Sequence, residues 1–147
     1  MEEKCISFNE INVFARTIAS RLKGEGITHV VGLARGGLVP ATIISYMLDK
    51  PLLTYGISSY KGTKKTENFH ISQPLNIAAL KENNAHVLVV DDICDTGDTM
   101  RYITTNFGLG AISYKTACIL TKEKHKEWLD HYGLVVPDNK WIVFPWE

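Results

Sequence analysis

The apolar residues of the chain follow two different spacings, one helical and one typical of strands. Ile11, Phe14, Ile18 and Leu22 recur at helical spacing. They follow Ser7-Phe8-Asn9-Glu10, which has the form of a capping box with serine at the N-cap. Short continuous apolar runs indicate buried strands instead. Such runs predict strands at 29–33, 51–57, 87–90 and 114–120.

Helices are predicted between these strands. The first helix is expected to begin after the capping box and to end at Gly24 and Gly26. The other three are expected at 38–48, 77–81 and 100–107. Pro40 is tolerated because it falls in the first turn of its helix, and Gly108 and Gly110 are expected to stop the last helix. Strands that alternate with helices predict an α/β fold with a largely parallel sheet.

The stretch from Ser58 to about Gln73 has a different character, because it is polar, basic and without a clear period. Long loops inside compact domains are often lids or binding loops. A solvated hairpin and plain disorder are the alternatives.

Length, charge and cysteine content narrow the class of protein. The chain has 147 residues, which favours a single domain over 1–147. Sixteen basic and sixteen acidic side chains balance, which argues against a general nucleic-acid binder. Three widely spaced cysteines favour a reducing compartment. The longest apolar stretch, 38–48, is too short to span a bilayer, so we expect a cytoplasmic protein with no integral membrane segment.

Two acids at the end of the strand predicted at 87–90 are the first chemical signal. Asp91 and Asp92 follow the four apolar residues directly, and ligands bind at the carboxyl ends of strands in open α/β sheets. Ionised carboxylates only accept hydrogen bonds, so this pair suits ribose hydroxyls or a hard divalent cation.

The loop after the acids opens a helix. Helix N-termini hold phosphate through free N–H groups, Gly97 allows close backbone approach, and Thr96 and Thr99 supply hydroxyl donors. Sugar hydroxyls beside a phosphate make a phosphoribosyl group. For any one of these residues a turn or helix-cap role is the better interpretation, but the ordered set favours a ligand site.

Four segments resemble those of a known family. The thirteen residues 87–99 resemble the phosphoribosyl pyrophosphate signature of type I phosphoribosyltransferases. The chain is similar, more narrowly, to the bacterial xanthine-guanine phosphoribosyltransferases. The other matching segments are the pyrophosphate loop at Leu33–Pro40, the entry to a mobile catalytic loop at Gly56–Tyr60, and the purine-binding end at Trp141-Ile142 with Pro145-Trp146.

The resemblance implies a fold and an activity. The fold would be a mostly parallel central sheet flanked by helices, with a mobile loop and a small C-terminal base-binding hood. The enzyme would use Mg²⁺ to join a 6-oxopurine (guanine, xanthine or hypoxanthine) to phosphoribosyl pyrophosphate. The products would be a nucleoside 5′-monophosphate and pyrophosphate, as in purine salvage. The resemblance also implies a homodimer or homotetramer.

Residue roles follow from the same resemblance. Asp91 and Asp92 would bind the ribose hydroxyls with Mg²⁺, and Asp95 would act catalytically near N7 of the purine. The 5′-phosphate loop would comprise Asp95, Thr96, Gly97, Asp98 and Thr99. Asp98 departs from the family pattern, in which a small residue is common. Because a carboxylate would repel the phosphate, Asp98 is expected to point to solvent.

The two remaining loops are assigned to pyrophosphate and to closure. Arg35, Gly36 and Gly37 would receive pyrophosphate through a guanidinium and backbone N–H groups, in a loop that often carries a strained or cis peptide bond in the family. Ser59 and Tyr60 would begin a lid that excludes water. Three lysines in the same loop would assist with pyrophosphate or form a solvated basic face: Lys61, Lys64 and Lys65.

The base is assigned to the C-terminal end. Trp141 would stack on the purine, and Ile142 would offer backbone groups to its edge. Lys122 aligns with the lysine that contacts the oxygen at purine C6, although Lys124 and Lys126 compete for this alignment. A donor there favours oxopurines over adenine.

Two other functions compete with this one. A regulatory protein of the same fold could sense phosphoribosyl pyrophosphate, or bind RNA, with little catalysis. A third reading keeps the enzyme but changes the base to adenine or a pyrimidine, against which Trp141 argues.

Overall fold

A computed structural model describes residues 1–59 and 69–147. The elements in these residues follow one another in the order β1 (Glu2–Cys5), α1 (Phe8–Leu22), β2 (His29–Ala34), α2 (Leu38–Leu48), β3 (Leu52–Ser59), β4 (Phe69–Gln73), α3 (Ile77–Glu82), β5 (His86–Cys94), α4 (Asp98–Gly110), β6 (Ser113–Lys122), a 3₁₀ helix (Glu123–Trp128), β7 (His131–Val136) and β8 (Lys140–Val143).

The main sheet has the strand order β4-β3-β2-β5-β6-β7. Its strands run parallel except β4, which pairs antiparallel with β3. A second, two-stranded parallel sheet joins β1 to β8. The α/β class and the largely parallel sheet predicted from the sequence are therefore confirmed.

Alternate residues of the central strands supply two hydrophobic cores on opposite faces of the sheet. Leu88 and Val90 pack with α1 and α2, whereas Val87 and Val89 pack with α3 and α4. All four are fully buried. Each buried aliphatic side chain contributes roughly 1.5–3 kcal/mol, and burial on both faces explains why β5 is a continuous apolar run in the sequence.

The first helix begins as its sequence predicts. The Ser7 side chain accepts a hydrogen bond from the Glu10 amide at 3.1 Å, and the Glu10 carboxylate accepts one from the Ser7 amide at 3.2 Å. The second helix, α2, has the predicted bounds, with Pro40 in its first turn.

Two predicted boundaries were wrong. The strand predicted at 87–90 continues to Cys94, because the β5–β6 ladder extends through Ile93↔Leu120 and keeps both acids in the strand. The helix α4 includes both glycines expected to stop it. Its last residue is Gly110. Ala111 follows as the C-cap with a φ of 55°, and Ile112 packs in the same core as Phe107.

The segment predicted as an irregular loop is partly a hairpin. Residues 58–59 complete β3 and residues 69–73 form β4, which pair antiparallel. Tyr60 and the lysines at 61, 64 and 65 lie outside the described residues. Within the described ranges, no helix is long and apolar enough to cross a membrane.

Candidate active site

The predicted site residues gather at the carboxyl edge of the main sheet. Because β2, β5 and β6 are parallel neighbours, their carboxyl ends meet at one edge. Arg35 follows β2, Asp91 and Asp92 lie near the end of β5, and Lys122 is the last residue of β6. Residues from distant parts of the sequence thus face one region.

The acid pair is half-buried and held by local hydrogen bonds. Asp91 accepts one from the Asp92 amide at 2.9 Å, and Asp92 accepts one from the Ile93 amide at 2.7 Å. Burial raises the pKa of Asp91 well above its usual value, and the negative charge of Asp92 raises it further. Burial also raises the pKa of Asp92, although hydrogen bonds from Asp91 and the Ile93 amide oppose the effect.

This pair fits a divalent cation. In the part of the chain that the structure describes, neither carboxylate forms an ion pair with a basic side chain, so their negative charge lacks a direct partner. No cluster of three or more metal-ligating side chains occurs in the described residues. Mg²⁺ commonly uses only one or two protein carboxylates and completes its shell with substrate phosphates and water.

The turn after β2 packs directly against the acid pair. The peptide bond between Ala34 and Arg35 is cis. A Cβ placed on Gly36 would lie 2.6 Å from Cγ of Asp92, so only glycine leaves room for the carboxylate. The Gly37 amide donates to the Leu33 carbonyl at 2.8 Å. Arg35 is exposed, so its side chain is accessible to a ligand.

A small recess of about 80 Å³ lies over the start of α4. Its lining includes Asp95, Thr96, Gly97 and Thr99. Gly97 occupies the N-cap with a φ of 82°, a conformation that favours glycine. The Asp98 amide bonds to the Thr96 hydroxyl at 3.3 Å, but Gly97 supplies no side-chain cap, which leaves the amides that follow Asp98 suited to an anion.

Asp98 does not line this recess. Its side chain is 25 % exposed, and its carboxylate lies 3.8 Å from the Arg101 guanidinium. It also accepts a hydrogen bond from the Thr96 hydroxyl at 3.1 Å. The hydrogen bond from Thr96 and the nearby positive charge of Arg101 favour a position of the carboxylate beside the helix.

His125 lies beside the loop at Gly97, a contact that the sequence did not indicate. A Cβ on Gly97 would lie 3.0 Å from Nδ1 of His125, so the imidazole covers the glycine. The Cys94 thiol lies 3.9 Å from the His125 carbonyl. The 3₁₀ helix therefore packs over the loop that contains Gly97. No local sequence pattern predicts this contact.

A larger cleft of about 230 Å³ adjoins the acid pair and the recess. Asp92, Asp95, Lys122, Trp141 and Ile142 contribute to its lining. Asp95 lines both the cleft and the recess. The Trp141 side chain is 57 % exposed on β8, which leaves a ring face free for stacking.

The three lysines that compete for the base position differ in their surroundings. Lys122 is 4 % exposed and lines the cleft. Lys126 pairs with Glu123 at 2.7 Å on the exposed 3₁₀ helix, and Lys124 is exposed. Neither of these two contributes to the cleft.

Further residues of the cleft were missed by the sequence analysis. Glu147 lines it, and the Glu147 carboxylate accepts a hydrogen bond from the Phe144 amide at 2.8 Å. Met1 and Asp138 also line it. Met1 reaches the cleft because β1 pairs with β8, a long-range pairing that neither segment indicates alone. Asp138 could have been predicted to line the cleft, because it lies only three residues before Trp141 in the sequence.

Comparisons with known proteins agree with this arrangement. A family model described as "Phosphoribosyl transferase domain" matches residues 6–147. The chain is 32 % identical to a xanthine-guanine phosphoribosyltransferase of Cereibacter sphaeroides, over 97 % of this chain and 85 % of that protein. A second protein of that name, from Idiomarina loihiensis, is 28 % identical over the same shares of the two chains.

A solved structure is similar over the whole chain. The crystal structure of a purine phosphoribosyltransferase from Pyrococcus horikoshii superposes with a TM-score of 0.80 and 30 % identity. The match covers 100 % of this chain and 95 % of that one.

Proposed function

We propose, from the premise that this chain belongs to the phosphoribosyl transferase family, that it is a purine phosphoribosyltransferase that uses a 6-oxopurine. Its substrates would be guanine, xanthine or hypoxanthine together with phosphoribosyl pyrophosphate. Its products would be the nucleoside 5′-monophosphate and pyrophosphate. The names of the similar proteins support this substrate class.

One observation carries the proposal. The cleft beside Trp141 and the recess over α4 share Asp95 as a wall, and the acid pair lies beside both. A nucleotide has the same order of parts, with a base, a ribose with two hydroxyls and a 5′-phosphate. The arrangement therefore fits a base and a phosphoribosyl group held next to each other.

The reaction would be a displacement at C1′ of the ribose. N9 of the base forms the new bond to C1′ while the bond from C1′ to the pyrophosphate oxygen breaks. Asp95 would accept the proton from N7 as the base attacks. Positioning the two reactants supplies much of the rate enhancement in such a reaction.

The leaving group needs stabilisation of its negative charge. The exposed Arg35 and the backbone at Gly36 would receive pyrophosphate. The Gly37 amide, also expected there, is already bonded to the Leu33 carbonyl. Asp91 and Asp92 would hold the ribose hydroxyls and Mg²⁺, which when bound neutralises charge on the departing pyrophosphate. The 5′-phosphate would lie against Thr96, Gly97 and Thr99 at the start of α4. Ser59 and Tyr60 remain the proposed start of the lid.

The preference for an oxopurine would come from Lys122. An ammonium group only donates hydrogen bonds. It can therefore donate to the 6-oxygen of an oxopurine but cannot accept a bond from the 6-amino group of adenine. Trp141 would stack on the ring, and Ile142 would bond to its edge through the backbone. We also propose a homodimer or homotetramer, which light scattering after gel filtration would measure.

The test is nucleotide formation from phosphoribosyl pyrophosphate and Mg²⁺ with five bases in parallel: guanine, xanthine, hypoxanthine, adenine and uracil. Asp95→Asn is expected to lower kcat by about 10²–10⁴-fold, the usual contribution of a general base. Glu123→Gln is the matched control, because this acid is exposed and does not line the cleft. Omission of Mg²⁺ is expected to abolish turnover.

Other outcomes would change the assignment. Turnover only with adenine or uracil would contradict the roles of Lys122 and Trp141. Tight binding of phosphoribosyl pyrophosphate without turnover of any base would favour a regulatory protein that senses this metabolite.

A further inference from the structure

The ammonium group of Lys122 is surrounded by backbone carbonyls. Its Nζ lies 2.6 Å from the carbonyl oxygen of Lys140, 3.0 Å from that of Pro137 and 3.4 Å from that of Asp138. The Asp95 carboxylate lies 3.9 Å away, beyond hydrogen-bonding distance. An ammonium has three N–H donors, and here each donor has one carbonyl acceptor.

The three carbonyls belong to one tight turn between β7 and β8. The Lys140 amide donates to the Pro137 carbonyl at 3.2 Å, which closes the turn. Carbonyls of a surface turn ordinarily face water, whereas these three converge on a single buried cation. Bonds to a charged donor are stronger than bonds between neutral groups, so the turn is tied to the Lys122 side chain.

This connection reaches the proposed base site. Trp141 directly follows the turn, whereas Lys122 ends β6 and pairs with Val136 of β7 in the main sheet. The strand β8 is also held by its buried residue Ile142 and the buried Phe144 beyond it, by pairing with β1, and by a hydrogen bond from the Ile6 amide to the Val143 carbonyl at 3.0 Å. Lys122 therefore links the segment that carries Trp141 to the centre of the fold.

We infer that Lys122 is a positioning residue: its ammonium holds the 137–140 turn and thereby sets the place of the Trp141 ring. This inference rests on the proposed function only where it concerns the base. A 6-oxygen can become a partner of the ammonium only in exchange for a carbonyl, and the Asp138 carbonyl, at 3.4 Å, is the longest of the three contacts. Loss of Lys122 should therefore weaken binding of a base that has no 6-oxygen as well.

The first test measures amide hydrogen exchange of the free protein. Lys122→Met is expected to accelerate exchange in residues 138–143 by about tenfold or more relative to the unchanged protein, because three charge-assisted bonds are lost. Exchange in β5 is expected to stay slow. Lys126→Met is the matched control, since this exposed lysine bonds to Glu123 and does not contact the turn. Unchanged exchange at 138–143 would overturn the inference.

Lys122→Gln is measured in parallel, because a buried methionine in this place could unfold the whole chain. Glutamine keeps a shorter polar group that cannot satisfy three carbonyls, so it is expected to show the same local acceleration. A global loss of protection in Lys122→Met leaves the Lys122→Gln result to decide, and slow exchange there would contradict the inference.

The second test separates positioning from a contact with the 6-oxygen. The probes are guanine and 2-aminopurine, which lacks the oxygen and whose fluorescence is quenched when it stacks. A role limited to the oxygen contact predicts that Lys122→Met weakens guanine binding and leaves 2-aminopurine binding unchanged. Positioning predicts that both dissociation constants rise. If the unchanged protein binds neither probe, the proposed function fails, while the exchange result still decides the role of Lys122.

Discussion

Replacement of Gly36 by alanine tests how the turn after β2 and the acid pair are fitted together. The added Cβ would lie 2.6 Å from Cγ of Asp92 and 3.1 Å from its Oδ1. Unbonded carbon atoms settle at about 3.5–4.0 Å, so the carboxylate must retreat by roughly 1 Å. The Ile93 amide, which donates to Oδ1 at 2.7 Å, resists that movement.

The expected cost follows from these contacts. Overpacking of this kind lowers the free energy of unfolding by about 1–3 kcal/mol. The effect on the reaction rate is expected to be larger. A displacement of about 1 Å in a group that positions a reactant lowers the rate by about 10²-fold. We therefore expect kcat/KM for phosphoribosyl pyrophosphate to fall by about 10²-fold, with the protein still folded.

The assay is initial velocity against phosphoribosyl pyrophosphate concentration, with urea unfolding of the same preparations. Gly108→Ala is the matched control, because a Cβ at this helical glycine meets nothing within 4 Å. It is expected to raise the free energy of unfolding by about 0.5–1 kcal/mol and to leave kcat/KM unchanged. A folded Gly36→Ala protein with unchanged kcat/KM would refute the reasoning.

Three further substitutions test other parts of the structure. Gly97→Ala places a side chain at a φ of 82° and 3.0 Å from the His125 ring; it should lower the free energy of unfolding by about 1–2 kcal/mol and weaken binding of ribose 5-phosphate, and unchanged calorimetric binding would contradict the phosphate assignment. Ser7→Ala removes the N-cap of α1 and should lower the free energy of unfolding in urea by about 1 kcal/mol, with no change in KM for either substrate. Burial, together with nearby cations, lowers the pKa of His131, so its contribution to stability is full above the unfolded pKa of about 6.5 and is lost as the pH falls through the folded pKa. His131→Gln should accordingly lose less stability than the unchanged protein when urea unfolding is compared between pH 8 and pH 5, and equal losses would contradict this sign.

The sequence by itself determined most of the secondary structure and the chemistry expected of one segment. The start of α1 follows from a local hydrogen-bonding pattern between Ser7 and Glu10, and β5 follows from an apolar run that both faces of a sheet require. Neighbouring residues alone encode such features. The order of acids, glycine and threonines in 87–99 is also local, and its interpretation needed only the predicted α/β class, in which ligands bind at the carboxyl ends of strands.

Only the tertiary structure decided which distant residues meet. The fit of Gly36 against Asp92 depends on the pairing of β2 with β5. The carbonyl surroundings of Lys122 depend on the turn beyond β7, and the contact of Met1 with the cleft depends on the pairing of β1 with β8. The physical reason is that periodicity reports which face of an element is apolar. It does not report which strand will pair with it or in which register, because contacts far apart in sequence determine both.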